Sequence, residues 1–305
     1  MEPRITGCAR PLVMWSCIAA LAACGDNLGR GAAGSDAGRP DASPIDAVVV
    51  DDHTHVRISS GELHGSIVGA SRQFLGIPYA KPPIGALRWK APQPAESWTT
   101  PREATVFGKR CAQLADPTLQ SAASNDEDCL YLNVWTPNPV PTVALPVMIW
   151  IHGGGNVNGS TAEPVPFVRT GVFYSGEHLA GEHGVVVVSM NYRLGLFGFF
   201  AHPDLAAEGS AGNQGLLDQR MAMQWVHDNI AAFGGDPAQV TIFGESAGSQ
   251  DVCFHVASPG SAPLFHRAIG ESGGCTTRLR TKAEAETQAT GVAADLACPG
   301  ADALA

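Results

Sequence analysis

Short apolar runs alternate with amphipathic stretches over most of the chain. A run such as Val185–Met190, which contains four consecutive valines, is typical of a strand that is covered on both faces of a sheet. This pattern predicts extended segments at Leu63–Ala70, Arg72–Ile77, Leu130–Trp135, Pro146–Ile151, Val185–Met190, Gln239–Phe243 and near His266–Gly270.

Helical periodicity is clearest between Gly215 and Phe233. Its apolar residues recur at spacings of three, four or seven, at Leu216, Met223, Val226, Ile230 and Phe233. Gly234 can then adopt the left-handed conformation that ends many helices. Similar signals predict a helix from Ser175 to His183, ended by Gly184, and a helical segment from Ser249 to Ala257. The alternation predicts an α/β fold whose mixed or mainly parallel sheet is flanked by helices.

Residues 1–24 have the features of an export signal. Two early arginines precede the apolar run Pro11–Ala23, which is too short to span a bilayer comfortably. The run ends in Leu21-Ala22-Ala23-Cys24, which is similar to a bacterial lipobox, where the cysteine becomes the lipidated first residue. Ordinary signal cleavage near Ala23 and an uncleaved anchor are the alternatives. In each case we expect the protein to leave the cytoplasm, either as a membrane-anchored lipoprotein or as a secreted protein.

The segment after the export signal has a different composition. Residues 25–54 are rich in Gly, Ala, Ser, Asp and Pro and show no apolar period. Such a segment cannot bury enough surface to fold, so it is predicted to be a flexible tether. The folded domain is predicted to occupy residues 55–305.

Charge and cysteine spacing exclude several classes of protein. The chain of 305 residues has a formal net charge of -10 and no visible basic patch, which argues against nucleic-acid binding. The cysteines outside the export signal are Cys111, Cys129, Cys253, Cys275 and Cys298. Their spacings fit no zinc pattern, so we expect no metal site. Because their number is odd, at least one is unpaired or has its partner elsewhere.

The most specific short motif is Gly244-Glu245-Ser246-Ala247-Gly248. The β-type segment Gln239–Phe243 precedes it and a helical segment follows, which is the strand–turn–helix setting of a nucleophile elbow. Side chains in place of the two glycines would collide with neighbouring backbone, and the helix N-terminus favours developing negative charge. Ser246 is therefore the candidate catalytic nucleophile, with an ordinary tight turn as the alternative.

A second motif, His152-Gly153-Gly154-Gly155, follows the predicted strand that ends at Ile151. Consecutive glycines leave backbone N–H groups free to point at one spot, where they can stabilise the oxyanion of a tetrahedral intermediate. A flexible turn is the alternative.

Together with the stretches around them, these motifs resemble the type-B carboxylesterase family, which includes cholinesterase-like enzymes and bacterial para-nitrobenzyl-type esterases. The matching stretches follow the family order at residues 74–89 (FLGIPYAKPPIGALRW), 126–137, 146–155, 186–199, 212–248 and 258–273. The resemblance covers about residues 61 to 300. It implies an α/β-hydrolase fold, a small-molecule ester substrate, no cofactor, and hydrolysis through an acyl-enzyme on Ser246.

The resemblance also implies roles for individual residues. Gly154, Gly155 and Ala247 match a three-donor oxyanion hole, and Glu245 is expected to tune the electrostatics of the site. The implied structural pairs are a disulfide between Cys111 and Cys129, and buried ion pairs of Arg88 with Glu127 and of Arg193 with Asp218. Cys298 matches half of a further family disulfide, whereas the pairing of Cys253 and Cys275 stays open.

The catalytic histidine and acid of the family have no match in this chain. In α/β-hydrolases the triad follows the order serine, acid, histidine. After Ser246 the histidines are His255 and His266, and neither matches the family's catalytic position. We therefore expect both partners beyond residue 305, and no turnover by residues 1–305 alone. An inactive fragment, or a binding or adhesion module on the same fold, is the alternative to a hydrolase.

The loop between Cys111 and Cys129 bears on the substrate. Choline-hydrolysing members hold the quaternary ammonium on an aromatic side chain there. This loop contains no tryptophan, which argues against choline esters.

Overall fold

A computed structural model describes residues 53–117, 121–165, 171–208, 212–276 and 279–296. The predictions for Cys24, for Cys298 and for the tether up to residue 52 lie outside these residues. The tether was predicted to end too late, since Thr54 is already buried. Its carbonyl oxygen accepts a hydrogen bond of 2.8 Å from the N–H of Gly65.

The described segments contain ten strands and five α-helices. The strands are β1 (His55–Ile58), β2 (Gly61–His64), β3 (Ser66–Val68), β4 (Ser71–Pro78), β5 (Arg102–Glu103), β6 (Tyr131–Pro137), β7 (Leu145–Ile151), β8 (Val186–Met190), β9 (Gly235–Glu245) and β10 (Arg267–Glu271). The α-helices are α1 (Glu177–His183), α2 (Gly195–Phe199), α3 (Gln214–Asn229), α4 (Ala247–Ala257) and α5 (Lys282–Asp295).

The central sheet is mixed and has the strand order β10-β9-β7-β8-β6-β4-β3. Neighbouring strands are parallel from β10 to β8 and antiparallel from β8 to β3. All five residues of β8 are buried, as expected for a strand covered on both faces. The predicted α/β architecture is confirmed, and its parallel part contains the strands that lead into both glycine motifs.

One predicted strand, Leu63–Ala70, is wrong as a single element. The chain divides at Gly65 into β2, which pairs with β1 and β5, and β3, which pairs with β4 in the central sheet. Gly65 packs tightly there, because a Cβ on it would lie 2.5 Å from the carbonyl oxygen of Gln73. Two short strands in different sheets therefore replace one continuous strand.

The predicted helix ends are largely confirmed. Gly184 and Gly234 both adopt the left-handed conformation, with φ of 62° and 87°. The α-helical part of α3 stops at Asn229, however, and a 3₁₀ turn occupies Ile230–Phe233. Helix α4 begins at Ala247, directly after Ser246, which is earlier than the periodicity indicated.

The strand β10 forms an edge of the central sheet, and all five of its residues are exposed. Helix α5 was not predicted, although a capping box between Thr281 and Glu284 marks its start. None of the helices within the described ranges has the length and apolar character that crossing a bilayer requires.

Candidate active site

Both glycine motifs lie at the carboxyl edge of the parallel part of the sheet. Ile151 at the end of β7 pairs with Gly244 of β9, and Glu245 pairs with Glu271 at the end of β10. Because parallel strands end at the same edge, the loops that follow them must meet there. The register therefore brings the glycine loop, defined here as residues 152–156, against the turn that carries Ser246.

Ser246 lies between β9 and α4 in a backbone conformation that few residues other than glycine adopt. Its φ is 55° and its ψ is -118°. The surrounding structure must impose such a conformation, which is typical of functional sites. The N–H of Ser246 donates to the carbonyl oxygen of Glu271 at 2.8 Å, and the N–H of Gln250 donates to the carbonyl oxygen of Ser246 at 3.2 Å. The predicted strand–turn–helix setting of the motif is confirmed.

The glycines on either side of Ser246 permit close backbone approach. A Cβ on Gly244 would lie 2.6 Å from the carbonyl carbon of Gly248 and 2.7 Å from the carbonyl oxygen of Ile151. A Cβ on Gly248 would overlap that same oxygen of Ile151. Any larger residue at these positions would push the turn away from the glycine loop.

The glycine loop packs directly on the turn. A Cβ on Gly153 would lie 3.2 Å from the Cβ of Ser246 and 2.8 Å from the carbonyl oxygen of Glu245. Gly154 and Gly155 have φ of 101° and 64°. Within the described part of the chain, the N–H groups of Gly154, Gly155 and Ala247 donate no hydrogen bond. Free N–H groups beside a serine hydroxyl can bind an oxyanion.

The hydroxyl of Ser246 has no hydrogen-bond partner among the described residues. Burial lowers the pKa of His152 to about 4. Its Nδ1 lies 2.9 Å from the carbonyl oxygen of Gly153, and its ring stacks on Tyr192. The Nδ1 of His266 accepts from the N–H of Val240 at 3.2 Å. Neither histidine is engaged with the serine.

His255 lies in α4, the helix that follows Ser246. Its ring is buried between α4 and α3. The Nε2 atom lies 2.8 Å from Oε1 of Gln219, and Nδ1 lies 2.9 Å from the hydroxyl of Ser261. Since an amide oxygen only accepts, Nε2 carries the proton, and both ring nitrogens are occupied away from Ser246.

Glu245 borders the glycine loop. Its Oε2 lies 2.9 Å from the position that a Cβ of Gly153 would take. The pKa of Tyr174 is raised to about 12, first by burial and then by the charge of Glu245. The carboxylate of Glu245 therefore contributes negative potential beside the site.

The family assignment follows from a match over most of the chain. The family described as "Carboxylesterase family" matches residues 52–304. The chain belongs to the carboxylesterase family.

Curated members of the carboxylesterase family are similar to this chain over about half of their length or less. Fumonisin B1 esterase of Sphingopyxis macrogoltabida is 44% identical over 257 residues, which cover 82% of this chain and 45% of the relative. Para-nitrobenzyl esterase of Bacillus subtilis (strain 168) is 42% identical over 240 residues, which cover 78% of this chain and 47% of the relative. Cholinesterase of Mus musculus is 48% identical over 214 residues, with coverage of 67% and 34%.

Solved structures of family members confirm the α/β-hydrolase fold. A PNB esterase superposes with a TM-score of 0.73 at 42% identity, covering 80% of this chain and 49% of its own. A thermophilic PNB esterase superposes with a TM-score of 0.72 at 42% identity, covering 81% and 49%.

Two disulfides lie in the described part of this member of the carboxylesterase family. Cys111 and Cys129 are joined, with a Cα–Cα distance of 4.9 Å, as the resemblance implied. The structure also joins Cys253 in α4 to Cys275, which follows β10. That second pair, which the sequence left open, ties the helix after Ser246 to the neighbouring strand's loop.

The two expected ion pairs are both present, but only one is buried. Arg193 donates to Asp218 through Nε and Nη2, each at 2.7 Å, and both side chains are at most 3% exposed. Arg88 makes a similar two-bond contact with Glu127, each bond 2.6 Å long. Its side chain is 32% exposed, so this pair is partly open to solvent, contrary to the expectation.

Sequence reasoning missed a group of polar residues behind the glycine loop. Asp251 is fully buried in α4, and its carboxylate accepts from Nδ2 of Asn156 at 3.0 Å and from Nε2 of Gln219 at 2.6 Å. A carboxylate among the apolar residues of a helix, four positions before His255, is the signal that could have indicated this group.

A candidate set of metal ligands lies elsewhere in the described part of the fold. His178, Glu182 and His183 on α1 place their donor atoms within 4.8 Å of one another. All three are exposed, and Nδ1 of His178 is already paired with Glu182 at 3.2 Å. Helix α1 packs on β4, β6 and β8, whereas the candidate nucleophile follows β9.

Proposed function

We propose that the whole protein hydrolyses carboxylic esters through an acyl-enzyme on Ser246. The observation that carries this proposal is the arrangement at the carboxyl edge of the sheet. Ser246 has the positive φ of a nucleophile elbow, and the glycine loop packs on the turn that carries it. Among the described residues, the N–H groups of Gly154, Gly155 and Ala247 donate no hydrogen bond. Family membership supports the same chemistry, since the relatives named above are called esterases.

In the proposed reaction the Ser246 oxygen attacks the ester carbonyl carbon. Its proton passes to a general base, and the carbonyl oxygen becomes an oxyanion that the three N–H groups stabilise. The N-terminus of α4 adds a favourable potential at the same point. Collapse of the intermediate expels the alcohol, which receives the proton, and water then releases the acid from Ser246.

The base and its supporting acid belong to the proposal as well. A serine hydroxyl is a weak nucleophile at neutral pH unless a base accepts its proton. No described side chain hydrogen-bonds to the Ser246 hydroxyl. We therefore assign both roles to residues outside the described segments, in the serine, acid, histidine order of this fold.

The proposed substrates are neutral esters with a short acyl group and an aromatic alcohol. The segment between Cys111 and Cys129 contains no aromatic side chain that could hold a quaternary ammonium group. Similarity to a mouse cholinesterase therefore does not extend to choline esters in this proposal.

A non-catalytic binding or adhesion module is the second candidate function. It would have no need of a strained serine or of unengaged N–H groups beside it, and such features carry a cost in stability. Their presence favours the hydrolase.

We further propose that the protein is exported and held at a membrane by a lipid on Cys24. The lipobox-like sequence Leu21-Ala22-Ala23-Cys24 and the polar segment after it support this localisation.

The experiment that tests the proposed function is hydrolysis of an activated aryl acetate by the whole protein. Replacing Ser246 with alanine should lower kcat by about 10⁴ or more. Ser258→Ala is the matched control, because the Ser258 hydroxyl makes no side-chain hydrogen bond among the described residues. It should keep the parent's turnover. Parent-like turnover by Ser246→Ala would overturn the assignment.

A further inference from the structure

A buried carboxylate without a cationic partner connects the glycine loop to the helix that follows Ser246. Asp251 lies in α4, the helix that begins directly after Ser246. Among the described residues no cation lies within 4.0 Å of Asp251, and its carboxylate accepts hydrogen bonds from two side-chain amides. Burial raises the pKa of Asp251 to about 6, and the two hydrogen bonds partly counteract this increase. Burying a carboxylate without a cationic partner lowers the stability of the fold, so its presence beside the site calls for a functional explanation.

The first of those amides belongs to the glycine loop. Asn156 has a φ of 58° and directly follows Gly155. Its Nδ2 donates to Oδ1 of Asp251 at 3.0 Å. The hydroxyl of Tyr192 lies 3.0 Å from its Oδ1, and its own carbonyl oxygen accepts from the N–H of Gly195 at 2.7 Å. Asn156 is therefore anchored on three sides.

The second amide, that of Gln219, connects α3 to α4. Gln219 in α3 donates from Nε2 to Oδ2 of Asp251 at 2.6 Å and accepts at Oε1 from His255 at 2.8 Å. Asp251 and His255 are four residues apart, so one side chain of α3 holds two consecutive turns of α4. The carboxylate is thus held in a fixed position relative to Ser246.

The position of the glycine loop depends on contacts with groups outside it. Three consecutive residues, Gly154, Gly155 and Asn156, have positive φ, and the two glycines lack side chains that could pack. Their N–H groups can stabilise an oxyanion only if they are held at hydrogen-bond distance from it. The contact between Asn156 and Asp251 joins this loop to α4, the helix that begins directly after the nucleophile.

We propose that Asn156 and Asp251 act as a pair of positioning residues, whose hydrogen bond sets the distance between the N–H groups of the glycine loop and the oxygen of Ser246. The inference rests on the proposed ester hydrolysis and adds to it two residues that touch neither substrate nor reacting atoms. It assigns the buried carboxylate a role in kcat rather than in substrate binding.

The test exchanges the two side chains in the whole protein. Asn156→Asp alone places two carboxylates against each other, which should displace the loop and lower kcat for an aryl acetate by about 100-fold. KM should change by less than about threefold. Adding Asp251→Asn restores an amide facing a carboxylate and leaves an oxygen for the amide of Gln219, so kcat should return to within about tenfold of the parent. Asp251→Asn alone should lose about tenfold.

A matched control separates positioning from general loss of stability. Asn133 is a buried asparagine in β6 that accepts from the N–H of Gly76 and donates to Ser189. Asn133→Asp should lower the melting temperature while folded protein keeps the parent's kcat. If Asn156→Asp does not fold, Asn156→Ala, Asp251→Ala and their combination replace it. Losses in kcat that do not add then support the pair, and losses that add overturn it.

The outcomes distinguish this inference from the proposed function. A parent protein without turnover, or with turnover that survives Ser246→Ala, overturns the proposed function. A parent with serine-dependent turnover, in which the exchange of Asn156 and Asp251 recovers the melting temperature but not kcat, overturns only the positioning role.

Discussion

The backbone N–H of Ser246 donates a hydrogen bond of 2.8 Å to the carbonyl oxygen of Glu271. Glu271 is the last residue of β10 and pairs with Glu245, so the bond extends the parallel pairing of β9 and β10 by one residue. The conformation of Ser246 costs about 1–3 kcal/mol, and this contact helps to offset that cost. The neighbouring strand thus holds the candidate nucleophile from one side while the glycine loop packs on the other.

We predict two disulfides in the described part of the protein, Cys111–Cys129 and Cys253–Cys275. Peptide mass spectrometry without reduction should find both linked pairs, and prior reduction should remove them. Replacing Cys111 and Cys129 together with alanine should lower the free energy of unfolding by about 3 kcal/mol. A larger loss is not expected, because closing a short loop restricts the unfolded chain less than closing a long one. Freely alkylated thiols at these positions in unreduced protein would contradict the pairing.

Gly248→Ala should destabilise the fold and lower turnover. The new Cβ would overlap the carbonyl oxygen of Ile151 and lie 2.9 Å from that of His152, and neither backbone atom can move freely. A loss of about 1–3 kcal/mol is expected from such overpacking. Urea unfolding measures the stability, and an aryl acetate assay measures the turnover.

Gly291→Ala is the matched control for that substitution. Gly291 lies in α5, and a Cβ there would have no neighbour within 4 Å. Alanine should therefore stabilise the helix by about 0.5–1 kcal/mol. If the two substitutions changed stability and turnover by the same amount, the close backbone approach around Ser246 would not be the cause of the effect of Gly248→Ala.

His255→Gln should reduce the loss of stability that accompanies acidification. Burial lowers the pKa of His255 to about 4, compared with an ordinary value of 6.5. As the pH falls below 6.5, the unfolded chain takes up a proton that the folded chain does not, so stability is lost until about pH 4. The shift corresponds to about 3 kcal/mol. Chemical denaturation above pH 6.5 and near pH 4 measures the difference from the parent.

Other buried groups change the pH dependence of stability equally in the parent and in His255→Gln. Asp251 acts in the opposite direction, since its folded pKa of about 6 lies above 3.8 and its protonation stabilises the fold as the pH falls. His227→Gln is the control substitution, because it removes a histidine whose side chain is exposed. An equal loss of stability in the parent and in His255→Gln would rule out a contribution from His255.

Cys24→Ala should release the protein from membranes or block its processing. Acyl chains on Cys24 would contribute about 0.8 kcal/mol for each buried CH₂ group, and alanine cannot be acylated. Fractionation of cells into membrane and soluble parts measures the distribution. Cys17→Ala, which changes another cysteine of the predicted export signal, should behave as the parent does. If Cys24→Ala stays with the membranes as the parent does, the lipobox interpretation is wrong.

Elements with strong local signals could be predicted from the sequence. The glycines at 184 and 234 end their helices in the left-handed conformation, because this conformation depends on the missing Cβ and on little else. The setting of Ser246 could also be predicted, since the motif with two glycines around a serine stands between a β-type segment and a helical one. The prediction of one strand over Leu63–Ala70 was wrong, because the break at Gly65 depends on contact with Gln73 of another strand.

The α/β alternation, the turn that presents Ser246 and the glycine loop all have local signals in the amino-acid sequence. Which distant groups meet depends on the tertiary structure. Asp251 is 95 residues from Asn156, and Cys253 is 22 residues from Cys275. Such contacts depend on strand order, register and helix packing, and hydrophobic spacing carries no information about which buried polar groups end up facing each other.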